Sequence, residues 1–368
     1  MFLINKRFFR HFDWATFLLI VALSCIGLLF IFSATYKPEM PFSIFFKKQA
    51  FGILGGIFLY LLVSLIDYRV WMRLGYFLYI ISVGLLFFTL IKGSIGMGAQ
   101  RWINLFFFKL QTAELVKLFF PAFFAHYLQT HKNTEHVTFK HFIPVIFSLG
   151  LSTFLILKQP DLGTALVFLL SGFILLWLAG INKRFFIYGG LLFLISAPIS
   201  WNLLKEYQKK RITTFLGQGK SEKERYQLDQ SHIAIGSGGM LGKGLLQGTQ
   251  NRLLFLPESR TDFIFSVLCE ELGFIGALFV LLLYLMLFLR LLSCIKTMQT
   301  AIMQLFAAGL IIPIILSTIV NLFMVTGLLP IVGIPLPLIS YGLSNLWATF
   351  ISLGWFHSIS TQQTFVVE

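Results

Sequence analysis

Charge is what this chain has least of. Only 12% of its 368 residues are Asp, Glu, Lys or Arg, about half the share usual in a soluble domain. Polar material that sparse cannot cover a water-facing surface, so a water-soluble globule is excluded and lipid must act as solvent. Cysteine is scarce too, and Cys25, Cys269 and Cys294 each lie in or beside an apolar run. With no CxxC pair and no even-numbered framework, neither a zinc site nor a disulfide scaffold is supported. HExxH, GxSxG and nucleotide-binding motifs are missing as well.

What the chain has in excess is apolar sequence: 57% of residues are hydrophobic and 43 are phenylalanine. Lys6, Arg7 and Arg10 precede the first apolar run, as in a secretory signal, but that run continues from Ala15 to Ala34 with no small-residue cleavage site. It reads as a retained spanning helix. Further runs of spanning length occur at 49–66, 72–91, 113–129, 142–158, 162–180, 184–204, 263–289, 303–327 and 338–357. Together they predict an all-α integral membrane protein of about ten transmembrane helices, one polytopic domain over 1–368, with both termini on one side. Between the seventh and eighth spans lies a polar segment, 205–262, which holds ten of the 29 Lys and Arg residues. A connection of that size is usually functional.

Basic residues give the orientation. With the N-terminus in the cytoplasm, eleven Lys and Arg lie on inner segments and seven on short outer loops, a modest inward bias. The 205–262 segment is then extracytoplasmic. The net charge of +14 sits almost wholly in loops, which suits anionic headgroups or an anionic substrate.

Most helix interiors lack ionisable groups, so those near hydrocarbon become candidates for function. One cluster is Arg101-Trp102 with Gln111, Glu114 and Lys117. Glu114 and Lys117 are three apart and share a helix face, either as an interfacial ion pair or as a cation wall for a phosphate-bearing lipid. A second is Lys158-Gln159-Pro160-Asp161-Leu162-Gly163-Thr164, where Asp161 is placed to cap a helix. A third is Leu256-Pro257-Glu258-Ser259-Arg260-Thr261-Asp262-Phe263, where the polar segment re-enters the membrane. As the first turn of the eighth helix it would set Glu258 and Asp262 on one face, and two carboxylates beside an arginine could perform acid–base work. A helix N-terminus lowers a carboxylate pKa, so burial or the Glu258 charge must offset it in a working base. Glu270 and Glu271 lie two turns deeper, and one of them is expected to pack against a polar partner inside the bundle, such as Arg101 or Lys117, which the sequence does not name.

Two patterns mislead. Gly236-Ser237-Gly238-Gly239-Met240-Leu241-Gly242-Lys243-Gly244 has the look of a phosphate loop. Its Lys is followed by Gly and no βα unit surrounds it, so it reads as a tight, closely approaching backbone. His126, His131, His136 and His141 recur every five residues, which spreads them around a helix rather than aligning them on a metal.

At these residues the chain resembles the SEDS family (shape, elongation, division and sporulation) of membrane peptidoglycan polymerases. The resemblance runs from Phe12-Asp13-Trp14 to Ser340-Tyr341-Gly342. It is densest at Tyr226-Gln227, Gln230-Ser231, Ala234-Ile235-Gly236-Ser237-Gly238-Gly239, Thr261-Asp262-Phe263-Ile264-Phe265 and Glu270-Glu271-Leu272-Gly273. It implies ten spans and a large outer loop between the seventh and eighth. It also implies joining of lipid II into glycan strands at the outer membrane face, beside a class B penicillin-binding protein that crosslinks them. The family's essential aspartate falls on Asp262, the Q-P-D-L-G-T motif on Gln159 to Thr164, and the R-W, Q-x-x-E and E-x-x-K elements on Arg101-Trp102, Gln111, Glu114 and Lys117. Arg260 stands where family members often have His, and Leu343-Ser344-Asn345 departs from the usual G-S-S. Gly244 to Gln250, Val332 to Leu338 and the short tails are more similar to the elongation-type (RodA) branch than to the division-type (FtsW) branch.

The implied chemistry is inverting attack of a sugar hydroxyl on an anomeric carbon bearing a lipid diphosphate. Diphosphate leaves readily, so one general base, Asp262, could suffice, unlike ordinary glycoside hydrolysis. Arg101, Lys117 and Arg260 are the expected counter-charges, with Glu114, Asp161 and Glu258 beside them. No tightly bound cofactor is implied, although a divalent ion such as Mg²⁺ could be shared with Asp161 or Glu114. Other elongation-complex membrane proteins are the further expected partners, and nucleic acid is not among them. A lipid II flippase is the main rival reading, and a non-catalytic scaffold a weaker one. Secondary transporters place ionisable groups near the midplane within inverted repeats, whereas here they gather at the outer ends.

Overall fold

Helix starts are set by polar side chains that satisfy first-turn amides. Asp13, Ser43 and Asp67 cap α1 (Trp14–Thr35), α2 (Ile44–Leu65) and α3 (Tyr68–Lys92) in this way. The computed structural model describes residues 12–96, 99–105, 108–131, 139–191 and 222–365, with positions 195, 209, 213 and 214. After α3 the chain leaves the helical pattern. Strands β1 (Ser94–Gly96), β2 (Ala99–Leu105) and β3 (Phe108–Gln111) form an antiparallel sheet with Trp102 opposite Gln111 and Asn104 opposite Lys109. The all-α expectation holds for most of the described chain and is corrected at this sheet, where Trp102 and Ile103 are residue types that favour strands and pair with Gln111 and Leu110.

The chain continues as α4 (Thr112–His131), a 3₁₀ turn (Phe139–Phe142) leading into α5 (Ile143–Lys158), and α6 (Leu162–Leu178). Residues 183–191 are helical, and most of the expected seventh span, 184–204, lies outside the described residues. Then come α7 (Glu222–Ser237), α8 (Ile264–Lys296), α9 (Ala301–Val325) and α10 (Leu343–Phe365). Among the described residues six helices are long and apolar enough to cross a membrane: α1, α2, α3, the Phe139–Lys158 unit, α8 and α9. Leu54, Phe58, Phe147 and Phe279 are more than half exposed on the outside of the bundle, the pattern of a surface solvated by lipid. Helices α4 and α10 carry the polar residues of the site and are largely buried among the others. Gly56 and Gly354 let α2 and α10 approach closely, since a Cβ at either would lie within 2.6 Å of Phe350 or of the Tyr60 carbonyl.

The far end of α8 is pinned to the start of α1. Arg290 Nη2 lies 2.6 Å from Asp13 Oδ1, with Nε 3.0 Å from both carboxylate oxygens. Burial tends to raise the Asp13 carboxyl, but hydrogen bonds from Arg290 and Thr16 outweigh it and hold the group below the usual carboxylate range.

Helix α8 is broken. Gly273 has φ 65° and ψ −163° within the 33-residue element, a conformation open to glycine alone. The glycine-rich run docks on the break. The Lys243 and Gly244 amides donate to the Glu270 and Glu271 carbonyls at 3.0 and 2.9 Å. Past the break the Phe274 and Ile275 amides donate to the Gly239 and Met240 carbonyls at 2.9 and 3.2 Å. One loop thus satisfies the last carbonyls of the first half-helix and the first amides of the second. Its glycines are required by contact, since a Cβ at Gly238 would lie 2.0 Å from the Cys269 carbonyl oxygen and one at Gly242 2.1 Å from that of Glu271. Gly242→Ala, at φ +78°, is expected to displace this loop and cost about 2–4 kcal/mol. Unchanged thermal stability and hydrogen exchange over 238–275 would count against the docking.

Glu270 and Glu271 find their partners in the same place, not at Arg101 or Lys117. Glu270 is fully buried, and its Oε1 accepts from Lys243 Nζ at 2.6 Å, the Thr249 amide at 2.7 Å and the Gln250 amide at 3.1 Å. Glu271 accepts from the Ser33 hydroxyl of α1. The two acids anchor the loop to α8 and α1.

Candidate active site

Residues 257–263 form a turn, and α8 begins only at Ile264. Glu258 and Asp262 therefore do not share the face of a first helical turn, as the spacing alone suggested. Glu258 sits at φ +53°, and its carbonyl accepts from the Thr261 and Phe263 amides at 3.1 and 3.3 Å. Its carboxylate accepts from the Thr261 hydroxyl at 3.0 Å. Left-handed backbone at a non-glycine residue costs roughly 1–2 kcal/mol and persists where surrounding contacts over-determine it.

Those contacts come from three elements. Asn321 on α9 donates its amide to the Asp262 carbonyl at 2.9 Å and to the Ile334 carbonyl at 2.7 Å. The Ser340 hydroxyl donates to the Thr261 carbonyl at 2.6 Å, and the Tyr341 amide to the Arg260 carbonyl at 2.9 Å. Gln49 on α2 donates to the Ser340 carbonyl at 3.3 Å and accepts from the Gly342 amide at 3.4 Å. Asp262 is left partly exposed, with Oδ2 facing Gly333, where a Cβ would come within 3.5 Å. Arg260 turns to the other side and stacks over Phe45, its Cζ 3.9 Å from the ring centroid.

Glu114 and Lys117 pair as their i, i+3 spacing predicted. Lys117 Nζ lies 2.8 Å from Glu114 Oε1, both side chains no more than 10% exposed. Glu114 Oε2 accepts from Asn345 at 3.2 Å, and the Ser344 hydroxyl accepts from the Gln111 amide at 3.1 Å. Asp161 does cap α6, accepting from the Thr164 amide at 3.2 Å. It also accepts from the Gln111 side chain at 2.7 Å and lies 3.5 Å from Arg101 Nη1. One residue thus both caps a helix and joins the Gln111 and Arg101 side chains. Arg101 Nη2 donates to the Pro160 carbonyl at 2.9 Å.

Residues 340–345 therefore stitch the Asp262 turn to the cation cluster, through Ser340 and Tyr341 on one side and Ser344 and Asn345 on the other. Behind Glu114 and Lys117 lies a cavity of about 30 Å³ lined also by Ser317, Asn345, Thr349 and Ser352, room for a water or two. Spare donors remain after internal pairing. Lysine carries three N–H bonds and arginine five, and the buried Arg101 Nε has no hydrogen-bond partner. The carboxylates do not make a cation cage, since Glu114 is held by Lys117 and Asn345 and Asp161 by Arg101 and Gln111. Among the described residues no three acids, histidines or cysteines gather as ligands.

Sequence reasoning passed over Gln49 and Asn321, and named Ser340 only as part of the family resemblance. A signal existed in each: an uncharged polar side chain inside or beside an apolar run, where hydrocarbon penalises it unless it is bonded.

Comparison with known proteins bears on this arrangement. The chain is 37% identical over 373 residues to the peptidoglycan glycosyltransferase MrdB of Escherichia coli strain K12, covering 98% of this chain and 97% of that one. A solved chain from work on structural coordination of polymerization and crosslinking by a peptidoglycan synthase complex matches with TM-score 0.80 and 26% identity, over 96% of this chain and 98% of that one. The crystal structure of the rod shape determining protein RodA of Thermus thermophilus matches with TM-score 0.71 and 26% identity, over 96% and 97%. The sequence profile described as cell cycle protein, covering FtsW, RodA and SpoVE, matches residues 13–365, and the chain belongs to that family.

Proposed function

We infer that this protein is a peptidoglycan glycosyltransferase that polymerises lipid II for cell elongation. The observation that carries the reading is the partly exposed Asp262, on a turn bonded to Asn321 and Ser340, joined through residues 340–345 to the Arg101–Asp161 and Lys117–Glu114 pairs. End-to-end similarity to a named peptidoglycan glycosyltransferase supports the activity.

In the proposed reaction Asp262 removes the proton from the acceptor sugar hydroxyl as that oxygen attacks the anomeric carbon of the donor. The bond to the lipid diphosphate breaks on the opposite face, and the centre inverts. Charge developing on the diphosphate is met by unused N–H donors of Arg101 and Lys117. Arg260, stacked on Phe45, holds the outer end of α2 against the turn and presents its cation at the rim. Glu114, Asp161 and Glu258 orient these groups.

The reaction requires Asp262 on the outer face of the cytoplasmic membrane, with ten spans, cytoplasmic termini and 205–262 outside. Single cysteines at Gln247 and Arg184, in a background lacking Cys25, Cys269 and Cys294, test this. A membrane-impermeant thiol reagent on cells with any outer membrane permeabilised should label position 247 and spare 184. The reverse pattern overturns the orientation. The likeness to a synthase complex described as coordinating polymerization and crosslinking supports a class B penicillin-binding protein as partner, alongside other elongation-complex membrane proteins.

The decisive assay is lipid II turnover by purified protein with its partner. Glycan strands on a gel are the expected product. Lipid movement across vesicles without strand formation would favour the flippase reading, and strands made only with division-complex partners would favour the division branch.

A further inference from the structure

The apolar tips of the loop docked on α8 are exposed among the described residues. Met240 and Leu241 are 64% and 78% exposed, and Leu253, Leu254 and Phe255 are 60%, 80% and 44% exposed. Five such residues on a polar segment need an occupant. Their height along the membrane normal identifies it.

As one rod, the 33 residues of α8 would measure ~50 Å, far beyond the ~30 Å hydrocarbon core. From Phe274 to Lys296 the helix measures only ~34 Å, which matches that thickness. Phe274, Ile275, Leu278 and Phe279 are 57%, 53%, 44% and 56% exposed and open the lipid-facing surface of this stretch. Met240 and Leu241 are fastened at that level, because the Gly239 and Met240 carbonyls accept from the Phe274 and Ile275 amides. A second fastening is independent of α8. Asn251 donates to the Ser33 carbonyl at 3.2 Å, two residues before the end of α1 (Trp14–Thr35). Leu253 to Phe255 follow directly, behind the exposed Arg252.

We propose that Met240-Leu241 and Leu253-Leu254-Phe255 are inserted in the phospholipid interface, at the boundary between headgroups and acyl chains, as two wedges flanking the break in α8. Their apolar surface is continuous with the lipid-facing side of α8, and the occupant is the bilayer rather than another protein. Arg252 lies where headgroup phosphates would meet it. The wedges fix the height of the glycine-rich loop, and through Lys243 and Glu270 that of the half-helix behind Asp262. The inference does not depend on which side of the membrane the segment occupies, nor on the reaction.

The test uses the full chain in phospholipid nanodiscs. A fluorophore is attached to a single cysteine at Leu241 or Leu254, with exposed Gln247 as the water-facing control. Phospholipid carrying a nitroxide near the glycerol backbone should quench positions 241 and 254 at least threefold more than 247, and aqueous iodide should do the opposite. Equal iodide quenching at all three positions overturns the proposal, as does shielding that appears only when a partner protein is added. A second measurement needs no substitution. Diazirine-bearing phospholipid should leave adducts on peptides spanning 238–245 and 252–256, and adducts on the Phe279 peptide without any on these would equally overturn it.

Discussion

Asp262→Asn should abolish strand synthesis while the protein folds and binds its partner normally. The substitution keeps the size of the side chain and removes only the proton acceptor. The turn itself is held through backbone groups, the Asp262 carbonyl by Asn321 and the Thr261 carbonyl by Ser340, and none of these bonds needs the carboxylate. General-base contributions run to about 10²–10⁴-fold. With lipid II supplied in excess, polymerisation by Asp262→Asn is expected to fall by about three orders of magnitude with unchanged thermal stability. A folded variant that makes glycan at near the wild-type rate would remove Asp262 from the chemistry.

The second large effect is at Lys117. Its partner Glu114 is 4% exposed, so Lys117→Gln leaves a buried carboxylate with Asn345 as its remaining bonded partner. Breaking one side of a buried pair costs about 3–5 kcal/mol, so a loss of activity in this variant would have two causes. The double variant Glu114→Gln/Lys117→Gln separates them. Two neutral amides can bond each other and Asn345, so much of the stability should return. If Lys117 meets the diphosphate, strand synthesis stays depressed at least tenfold in the double variant. Recovery of activity together with stability would make the pair a brace and nothing more. Arg101→Gln is milder for folding, because the Gln111 side chain and the Thr164 amide still hold Asp161.

The helices were the most legible part of the sequence, because spanning length and hydropathy are local properties. The expected run at 15–34 and the observed Trp14–Thr35 differ by a residue at each end. Local pattern misled where a few residues had to be weighed against long runs. The strand around Trp102 is seven residues long, lacks a clean polar–apolar alternation and sits between α3 and α4, so it was absorbed into a connection. Pro257 and Glu258 resemble a helix start, and only the left-handed Glu258 and its bonds to Thr261 and Phe263 reveal a turn. The pair Glu114 and Lys117 was readable because both lie on one helix face. The partner of Glu270 was not, because Lys243 reaches it from a loop 27 positions earlier with no periodicity linking them. Asn345 was visible only as a departure from family pattern, and its bond to Glu114 gives that departure a physical role.

The break at Gly273 also has a mechanical consequence. An unbroken α8 would be a lever ~50 Å long, and a 5° change in tilt, small beside the range helices show when bilayer thickness varies, would swing its far end by ~4 Å. Broken at Gly273, α8 is not such a rod, and its two halves meet through the bonds of the glycine loop. The half-helix beyond it answers instead to Ser231, whose hydroxyl bonds both Ser266 and the Val325 carbonyl, and the turn it leads from answers to Asn321 and Ser340. Asp262 is thereby referenced to bonds inside the bundle as well as to the docked loop, and tilt of the longer half-helix alone does not carry it as the end of a rigid lever would be carried.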